Sequence, residues 1–348
     1  AKSTESVLAP YDTPRMRKIV IPKPGGYDRL RLEEAPDPQA GPDEALIDVE
    51  AIGVNYADCV IRMGLYSSAE KYVGWPITPG FEVAGRTEDG RDVIAVTFFG
   101  GYASRVVVPA HQVFARPVGW SAAEAAGLPT VFLTAWYALI RCAAVEAGAR
   151  VLVHSAAGGV GSALLQLAKI AGVHSVGVVG ASHKVDTALA AGADAVIDKS
   201  TEDLWAAAER HAPDGYDAVF DANGIATLKA SYAHVRPSGR LVVYGHHSML
   251  PKRRGRPNWP VLAWKALRVP RFSPLEMGES NRSVMAFNLS YLFDEHALLA
   301  RAMGDILGWV KEGRIRPAPT QTFALDDAAE AHRALETGDT VGKLVLVP

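Results

Sequence analysis

The sequence predicts an α/β protein in two parts: a partly open β-barrel, then a doubly wound parallel sheet. Three observations carry this expectation. Up to about residue 118, short strands sit close together between Gly and Pro punctuation, as in small barrels. From Val151 to Gly245, apolar strands alternate with helical stretches, the pattern of a parallel sheet covered on both faces. The junction into that second part is a β-branched run, Val151-Leu152-Val153, that ends in a Gly-rich turn and opens a helix.

That turn reads Ala156-x-Gly158-x-x-Gly161, a G-x-G-x-x-G pattern with alanine in the first place. Small residues let the backbone approach a pyrophosphate. The helix N-terminus adds free N–H groups and a partial positive charge. Strand, turn and helix follow in the order the pattern requires, with Leu164, Leu165, Leu167, Ala168 and Ile170 at helical spacing. Nucleotide binding at Ala157, Gly158, Gly159, Val160 and Gly161 is the expectation.

Composition narrows the partners. The chain has 348 residues, 49% hydrophobic and 21% charged, which suits two globular domains. A formal net charge of −2 predicts no bulk attraction to nucleic acid or to an anionic membrane. Cys59 and Cys142 are too few for a disulfide framework or a cysteine-built metal site, and a reducing, cytoplasmic setting is expected. The most apolar run, Val131 to Ile140, is too short to cross a bilayer, so no membrane span is expected.

In chain order, residues 1 to 14 read as a loose tail. Strands are expected at Lys18–Ile21, Leu30–Leu32, Glu44–Val54, Phe81–Gly85, Asp92–Thr97 and Tyr102–Val108. Ser121 and Glu124 form a capping box that opens a helix, and a second helix is expected near Thr134. The parallel sheet should then take strands at 151–153, 173–180, 195–197, 218–221 and 239–245, with a helix at 184–191. Residues 246 to 285 read as irregular, because Pro251, Pro257, Pro260, Pro270 and Pro274 forbid one long helix, although 261–268 suits a short one. A helix at about 295–312, a strand at 321–324, a helix at 328–336 and a strand at 343–347 close the chain and should rejoin the barrel.

With these motifs in place, the chain resembles the zinc-free quinone oxidoreductase branch of the medium-chain dehydrogenase/reductase superfamily, near the vesicle-amine-transport-like group. The resemblance covers roughly residues 16 to 348. It rests on Gly53-Val54-Asn55-Tyr56-Ala57-Asp58, Arg62-Met63-Gly64-Leu65-Tyr66, Thr78-Pro79-Gly80-Phe81-Glu82-Val83-Ala84-Gly85, the Gly158 turn and Gly342-Lys343-Leu344-Val345-Leu346. It implies a GroES-like barrel domain (1–134 and 290–348), a Rossmann domain (135–289) and an active site in the cleft between them. Zinc-dependent members place a cysteine where Asn55 stands and a histidine where Phe81 stands, with a third ligand near Thr130. None of these residues suits zinc. His111, His154, His246 and His247 read as surface or loop histidines.

Without a metal to polarise an alcohol oxygen, a conjugated enone, enoyl group or quinone is the easier acceptor for hydride. The resemblance therefore implies an NADPH-dependent reductase of such apolar small molecules, or a nucleotide-binding accessory protein that has lost turnover. It places Asn55 and Tyr66 at the nicotinamide end. Tyr66 either lines the site or is a packed loop tyrosine. Asp58 is either an orienting residue behind the site or a turn cap. Thr134, Asn223, Tyr244, Phe287, Leu289 and Lys343 complete the cofactor site by the same resemblance.

The cofactor can be argued from residues. NAD-selective sites carry an acid about twenty residues past the glycines. Here the stretch is Gly180-Ala181-Ser182-His183-Lys184, without an acid, and Lys199 follows the third strand. Ser182, Lys184 and Lys199 suit a 2′-phosphate, unless the lysines are merely solvated. Two further expectations concern the sheet edge and residues 246 to 285. Relatives pair Rossmann edges, so the Arg240–Tyr244 strand is expected near an edge and in a homodimer contact. Residues 246 to 285 are expected to cap the cleft, with Trp259 and Trp264 in an apolar substrate wall. The basic run Lys252–Arg256 would then meet an anionic carrier, either a coenzyme A thioester or a carrier-protein phosphopantetheine. The alternative is a dimer-contact or surface loop.

Overall fold

The computed structural model describes residues 15–249 and 255–348. The expected tail at 1–14, and Lys252, Arg253 and Arg254 of the basic run, lie outside the described residues.

The N-terminal part opens on an antiparallel hairpin, β1 (Arg15–Val20) with β2 (Arg31–Pro36). Next comes β3 (Glu44–Val54), the longest strand, and then two short helices, α1 (Tyr56–Arg62) and α2 (Ser67–Tyr72). Neither helix is legible in the sequence, because six or seven residues are too few to show a helical period. β4 (Glu82–Thr87), β5 (Asp92–Val96), β6 (Arg105–Pro109) and β7 (Val113–Ala115) complete the barrel strands of this part.

The capping box forms as expected. Ser121 N–H donates to Glu124 Oε2 at 2.8 Å, and Glu124 N–H to Ser121 Oγ at 3.3 Å, at the start of α3 (Ala122–Ala126). The second helix, α4 (Pro129–Trp136), begins earlier than expected because Pro129 suits a first helical turn, and it continues into a π-helical turn at Tyr137–Ala143. The run Ala122–Ala143 is long and apolar enough to span a membrane by composition, but 72% of its most apolar window is buried inside the fold. It is a core rod between the two sheets.

The second part alternates β8 (Arg150–Val153), α5 (Gly159–Ile170), β9 (His174–Val179), α6 (Val185–Ala190), β10 (Ala195–Asp198), α7 (Leu204–His211), β11 (Tyr216–Asp221), α8 (Leu228–Ala233) and β12 (Val235–Val243). The segment read as irregular contains α9 (Trp259–Ala266), α10 (Pro274–Ser280) and β13 (Ser283–Ala286). Then follow α11 (His296–Lys311), β14 (Thr320–Ala324), α12 (Ala328–Thr337) and β15 (Lys343–Val347).

Two main sheets result. The first has the order β14-β15-β3-β4-β5-β7, with β6 also paired to β3, so the C-terminal strands do rejoin the barrel. The second runs β10-β9-β8-β11-β12-β13, every pairing parallel. In chain order this is 3-2-1-4-5-6, with the reversal between β8 and β11, where ligands of such sheets bind. The expected edge is corrected. Arg240 to Val243 pair with Ser283 to Ala286, so β13, not β12, is the outermost strand. The prolines before it hid this short strand in the sequence.

Candidate active site in the interdomain cleft

The glycine turn is shaped by contacts that leave no room for side chains. A Cβ on Gly161 would lie 2.2 Å from Ser155 O, whereas at Gly158 the nearest atom is 3.3 Å away. Ser155 itself sits at φ +54°, a left-handed conformation that costs a non-glycine residue about 1 kcal/mol or more and that clusters at functional turns. α5 begins at Gly159 with no side-chain cap on its first N–H groups, the arrangement that suits an anion at a helix N-terminus. Ser155 Oγ donates to Asn223 Oδ1 at 3.3 Å, joining the turns after β8 and β11 across the reversal point.

Across the cleft, Asn55 caps α1. Its Nδ2 donates to Glu82 Oε1 at 2.9 Å, and its Oδ1 accepts from Lys343 Nζ at 2.6 Å. Lys343 also pairs with Glu82 Oε1 at 2.7 Å, while Glu82 Oε2 accepts from Thr130 N–H at 2.7 Å. Two strands, the cap of α1 and the start of α4 thus meet in one buried polar cluster. Glu82 was not singled out in the sequence. The available signal was a carboxylate inside the apolar strand Phe81–Ala84 and a lysine opening the apolar strand 343–347.

Asp58 lies behind this cluster and is fully buried. Its oxygens accept from Asn55 N–H at 2.8 Å, Gly80 N–H at 2.9 Å and Tyr102 OH at 3.2 Å. Burial pushes its pKa up to about 7, against the backbone N–H groups and Lys343, which favour the charged form. Asp58 therefore holds the backbone of Asn55 and of the Gly80 loop.

Tyr66 is half-buried. Its hydroxyl donates to Asn288 Oδ1 at 2.9 Å, and Ser290 Oγ bonds Ser68 Oγ at 2.7 Å, so two contacts lace the barrel to the segment after β13. Burial raises the Tyr66 pKa, which keeps the phenol a donor. Phe287 packs on Tyr137 with ring centroids 4.8 Å apart, and Leu289 opens the short turn Leu289–Leu292. Thr134 Oγ1 donates back to Thr130 O at 2.7 Å. The buried hydroxyls of Tyr244 and Thr130 have no hydrogen-bond partner among the described residues.

The 2′-phosphate expectation needs correction in detail. Ser182 Oγ donates to Asp198 Oδ2 at 2.6 Å, so an acid does stand beside this loop, supplied by the end of β10. The same carboxylate accepts from Ser200 N–H and Oγ, and these bonds lower its pKa. Lys184 is not simply solvated. Its ammonium donates to Gly338 O and, at 3.0 Å, to Thr340 O, in the turn before β15. Lys199 lies beside Gly180, its Cε 3.5 Å from where a Cβ would be.

Two other readings change. His154, read as a surface or loop histidine, is fully buried, with Nε2 3.1 Å from Ser231 Oγ. Trp259 and Trp264 are 61% and 52% exposed, so they form no buried substrate wall. α9 has a proline near its start and shows outward the face that carries them; Arg268 covers Trp264 at 3.7 Å.

Comparison with known proteins agrees with this architecture. Residues 41–96 match the alcohol dehydrogenase GroES-like domain, and residues 191–346 match the zinc-binding dehydrogenase family. The chain is 32% identical to the synaptic vesicle membrane protein VAT-1 homolog of Rattus norvegicus, over 96% of this chain and 85% of that one. Among solved structures, the quinone oxidoreductase of Thermus thermophilus, also determined with NADPH, is 31% identical, with a TM-score of 0.79 and coverage of 95% of this chain and 100% of that one. The Escherichia coli quinone oxidoreductase complexed with NADPH is 26% identical, with a TM-score of 0.81 and coverage of 95% and 100%. By the matched domains, the shared fold and the residues at Asn55 and Phe81, the chain belongs to the medium-chain dehydrogenase/reductase superfamily, in the branch that includes the quinone oxidoreductases.

Proposed function

We propose that this chain is an NADPH-dependent, zinc-independent oxidoreductase that reduces a conjugated double bond (enone or enoyl) or a quinone. One observation carries the reading. The cleft joins a glycine cradle to a polar cluster of Asn55, Glu82, Lys343 and Thr130 N–H, and by the family resemblance Asn55, Phe81 and Thr130 occupy the positions of the zinc ligands.

The residues present fit a dinucleotide. The α5 N-terminus without a side-chain cap and the side-chain-free Gly158 suit a pyrophosphate, and the Thr130 and Tyr244 hydroxyls, without a hydrogen-bond partner among the described residues, suit a polar ring substituent. When bound, the dihydronicotinamide supplies hydride to an electron-poor carbon of the acceptor. Gly158, Gly159, Val160 and Gly161 would hold the diphosphate; Lys199 would hold the 2′-phosphate together with Lys184 and Ser182, once these turn from the 338 and 340 carbonyls and from Asp198. Asn55, fixed by Lys343, Glu82 and Asp58, presents a rigid carboxamide. Tyr66, kept protonated, would stabilise charge that develops on the acceptor carbonyl by redirecting to it the proton it gives to Asn288 Oδ1 in this structure. The buried acids Asp58 and Glu82 are both engaged by protein donors, so the final proton comes from solvent. The division into 1–134 with 290–348 and 135–289 puts this machinery at the domain boundary, and the edge at β13 suits a homodimer.

The test is NADPH oxidation by the purified chain against a panel of quinones and enones, with and without a metal chelator. Turnover that survives chelation supports the reading. Turnover that chelation abolishes and zinc alone restores would refute the zinc-free mechanism. Tight NADPH binding without turnover on any acceptor would favour an accessory protein of the same fold.

A further inference from the structure

A chain of hydrogen bonds runs behind the Asn55 cap through side chains that are fully buried. On α12 the buried residues Ala328, Ala331, His332 and Glu336 recur at helical spacing, which turns the His332 imidazole into the core. Its Nε2 lies 3.1 Å from Tyr102 Oη, and Tyr102 OH donates to Asp58 Oδ2 at 3.2 Å. Asp58 then holds the N–H groups of Asn55 and Gly80. Asp58, Tyr102 and His332 are each 0% exposed. Tyr102 is pinned at its backbone: its N–H donates to Pro79 O and its carbonyl accepts from Ile19 N–H, both at 2.9 Å. A Cβ on Gly80 would meet the Tyr102 ring at 2.7 Å, and the imidazole meets that ring edge-on at 5.8 Å and 81°.

With Asp58 ionised, the protons of this chain have one order. Tyr102 carries a single proton and gives it to the carboxylate, so Tyr102 Oη must accept from His332, whose proton therefore sits on Nε2. Nδ1 of His332 has no hydrogen-bond partner among the described residues. In this tautomer it is a bare acceptor, which a buried site tolerates better than a bare N–H. Protonating Asp58 reverses the order. The carboxyl proton goes to Tyr102, the Tyr102 proton turns to His332, and the imidazole proton is driven to Nδ1, where no described group accepts it. The surrounding groups favour the first order. Burial and Arg62, itself paired with Glu336, keep His332 neutral. Burial and the neighbouring Asp58, Cys59 and Glu82 keep Tyr102 protonated. Burial opposes the Asp58 carboxylate, and Lys343 favours it.

We propose that His332 is a positioning residue: through Tyr102 it keeps Asp58 as the carboxylate that fixes the Asn55 cap and the Gly80 loop. The inference rests on the reductase reading above, which makes Asn55 part of the site. Without the chain, Asp58 takes a proton at higher pH. One of its oxygens then becomes a donor, and the two backbone N–H groups lose part of their acceptor. The carboxamide of Asn55 is held less firmly as a result. Turnover should therefore show an acidic limb, falling as pH drops through the Asp58 titration.

The experiment compares Tyr102→Phe, His332→Leu and His332→Gln with the unaltered chain, with folding checked by thermal midpoint. Tyr102→Phe keeps the ring and loses only the hydroxyl, and His332→Gln keeps a donor for Tyr102. Asp58 protonation is followed by carbon NMR of isotope-labelled aspartate, with Asp58→Asn assigning the signal. In parallel, kcat/KM for an enone with NADPH is measured over the same pH range. The expected result is an Asp58 titration moved up by about one pH unit in Tyr102→Phe, by less in His332→Leu and least in His332→Gln. The acidic limb of kcat/KM should move with it. A titration unmoved in both Tyr102→Phe and His332→Leu overturns the proposal, and so does a limb that fails to follow the titration. If the titration moves as expected but no acceptor is reduced at any pH, the reductase reading fails while the buried chain stands.

Discussion

Lys343 and Glu82 form a buried ion pair, Nζ to Oε1 at 2.7 Å, with side chains 4% and 0% exposed. A buried carboxylate left without its partner is costly, about 3–5 kcal/mol. Lys343→Met should therefore lower the urea unfolding free energy by that order. Adding Glu82→Gln should restore part of it, because the stranded charge is gone. A double variant no more stable than Lys343→Met alone would show that the lysine acts through Asn55, whose Oδ1 it also holds at 2.6 Å.

The two ammonium contacts of Lys184, to Gly338 O and Thr340 O, tie the loop after β9 to the turn before Lys343. A lysine that pairs with a phosphate makes a charge-assisted contact of about 1.5–3 kcal/mol. Lys184→Ala should weaken NADPH binding roughly tenfold or more and leave NADH nearly unchanged. Fluorescence titration with both cofactors decides this. Equal losses would mean that the lysine serves only to anchor the C-terminal turn.

The two glycines of the cradle should behave differently. At Gly161 a Cβ would meet backbone at 2.2 Å, an overlap that no side-chain movement relieves. Gly161→Ala should cost about 1–3 kcal/mol of stability as well as cofactor binding. Gly158→Ala meets Ser155 O at 3.3 Å, a tight contact that a backbone shift of a few tenths of an ångström relieves, so it should cost less stability than Gly161→Ala and still weaken NADPH binding by narrowing the cradle. Thermal midpoints beside binding constants separate the two effects. Normal cofactor affinity in Gly158→Ala would remove this turn from the site.

Much of this organisation was legible because it is written in local chemistry. The glycine turn, the Ser121 capping box and the strand at Lys343–Val347 each carry their signal within a few residues. What was missed depends on distance along the chain. Asp198 reaches Ser182 only because β9 and β10 are neighbours in the sheet. The acceptors of Lys184 are backbone carbonyls 154 and 156 residues away, and a carbonyl leaves no mark in a sequence. Glu82 and Lys343 each break an apolar run, and two opposite charges in strands expected to be buried do point to a pair. Trp259 and Trp264 misled because large aromatic residues usually signal burial, while α9 presents them to solvent.

The last prediction concerns His154. Its Nε2 lies 3.1 Å from Ser231 Oγ, which spends its own proton on Asp221 Oδ2 at 2.7 Å. The network therefore assigns the imidazole proton to Nε2. Nδ1 has no partner among the described residues, so a second proton would create a buried donor with nothing to accept it. Burial lowers the His154 pKa from 6.5 to about 4, against the pull of Asp221. Between these values the unfolded chain takes up a proton that the folded chain refuses. Stability should thus fall as pH drops through this window, with a slope of at most about 1.4 kcal/mol per pH unit from this one group. His247 and His332 are also held low and add slopes of the same sign, so the single group must be isolated by difference. His154→Gln keeps a donor near Ser231 and cannot titrate. Urea unfolding of both proteins at several pH values between roughly 4.5 and 7 should give a shallower pH dependence for the variant, by up to about one proton. Parallel curves would show that His154 titrates in the folded chain as in the unfolded one, with Asp221, at 3.9 Å, offsetting burial.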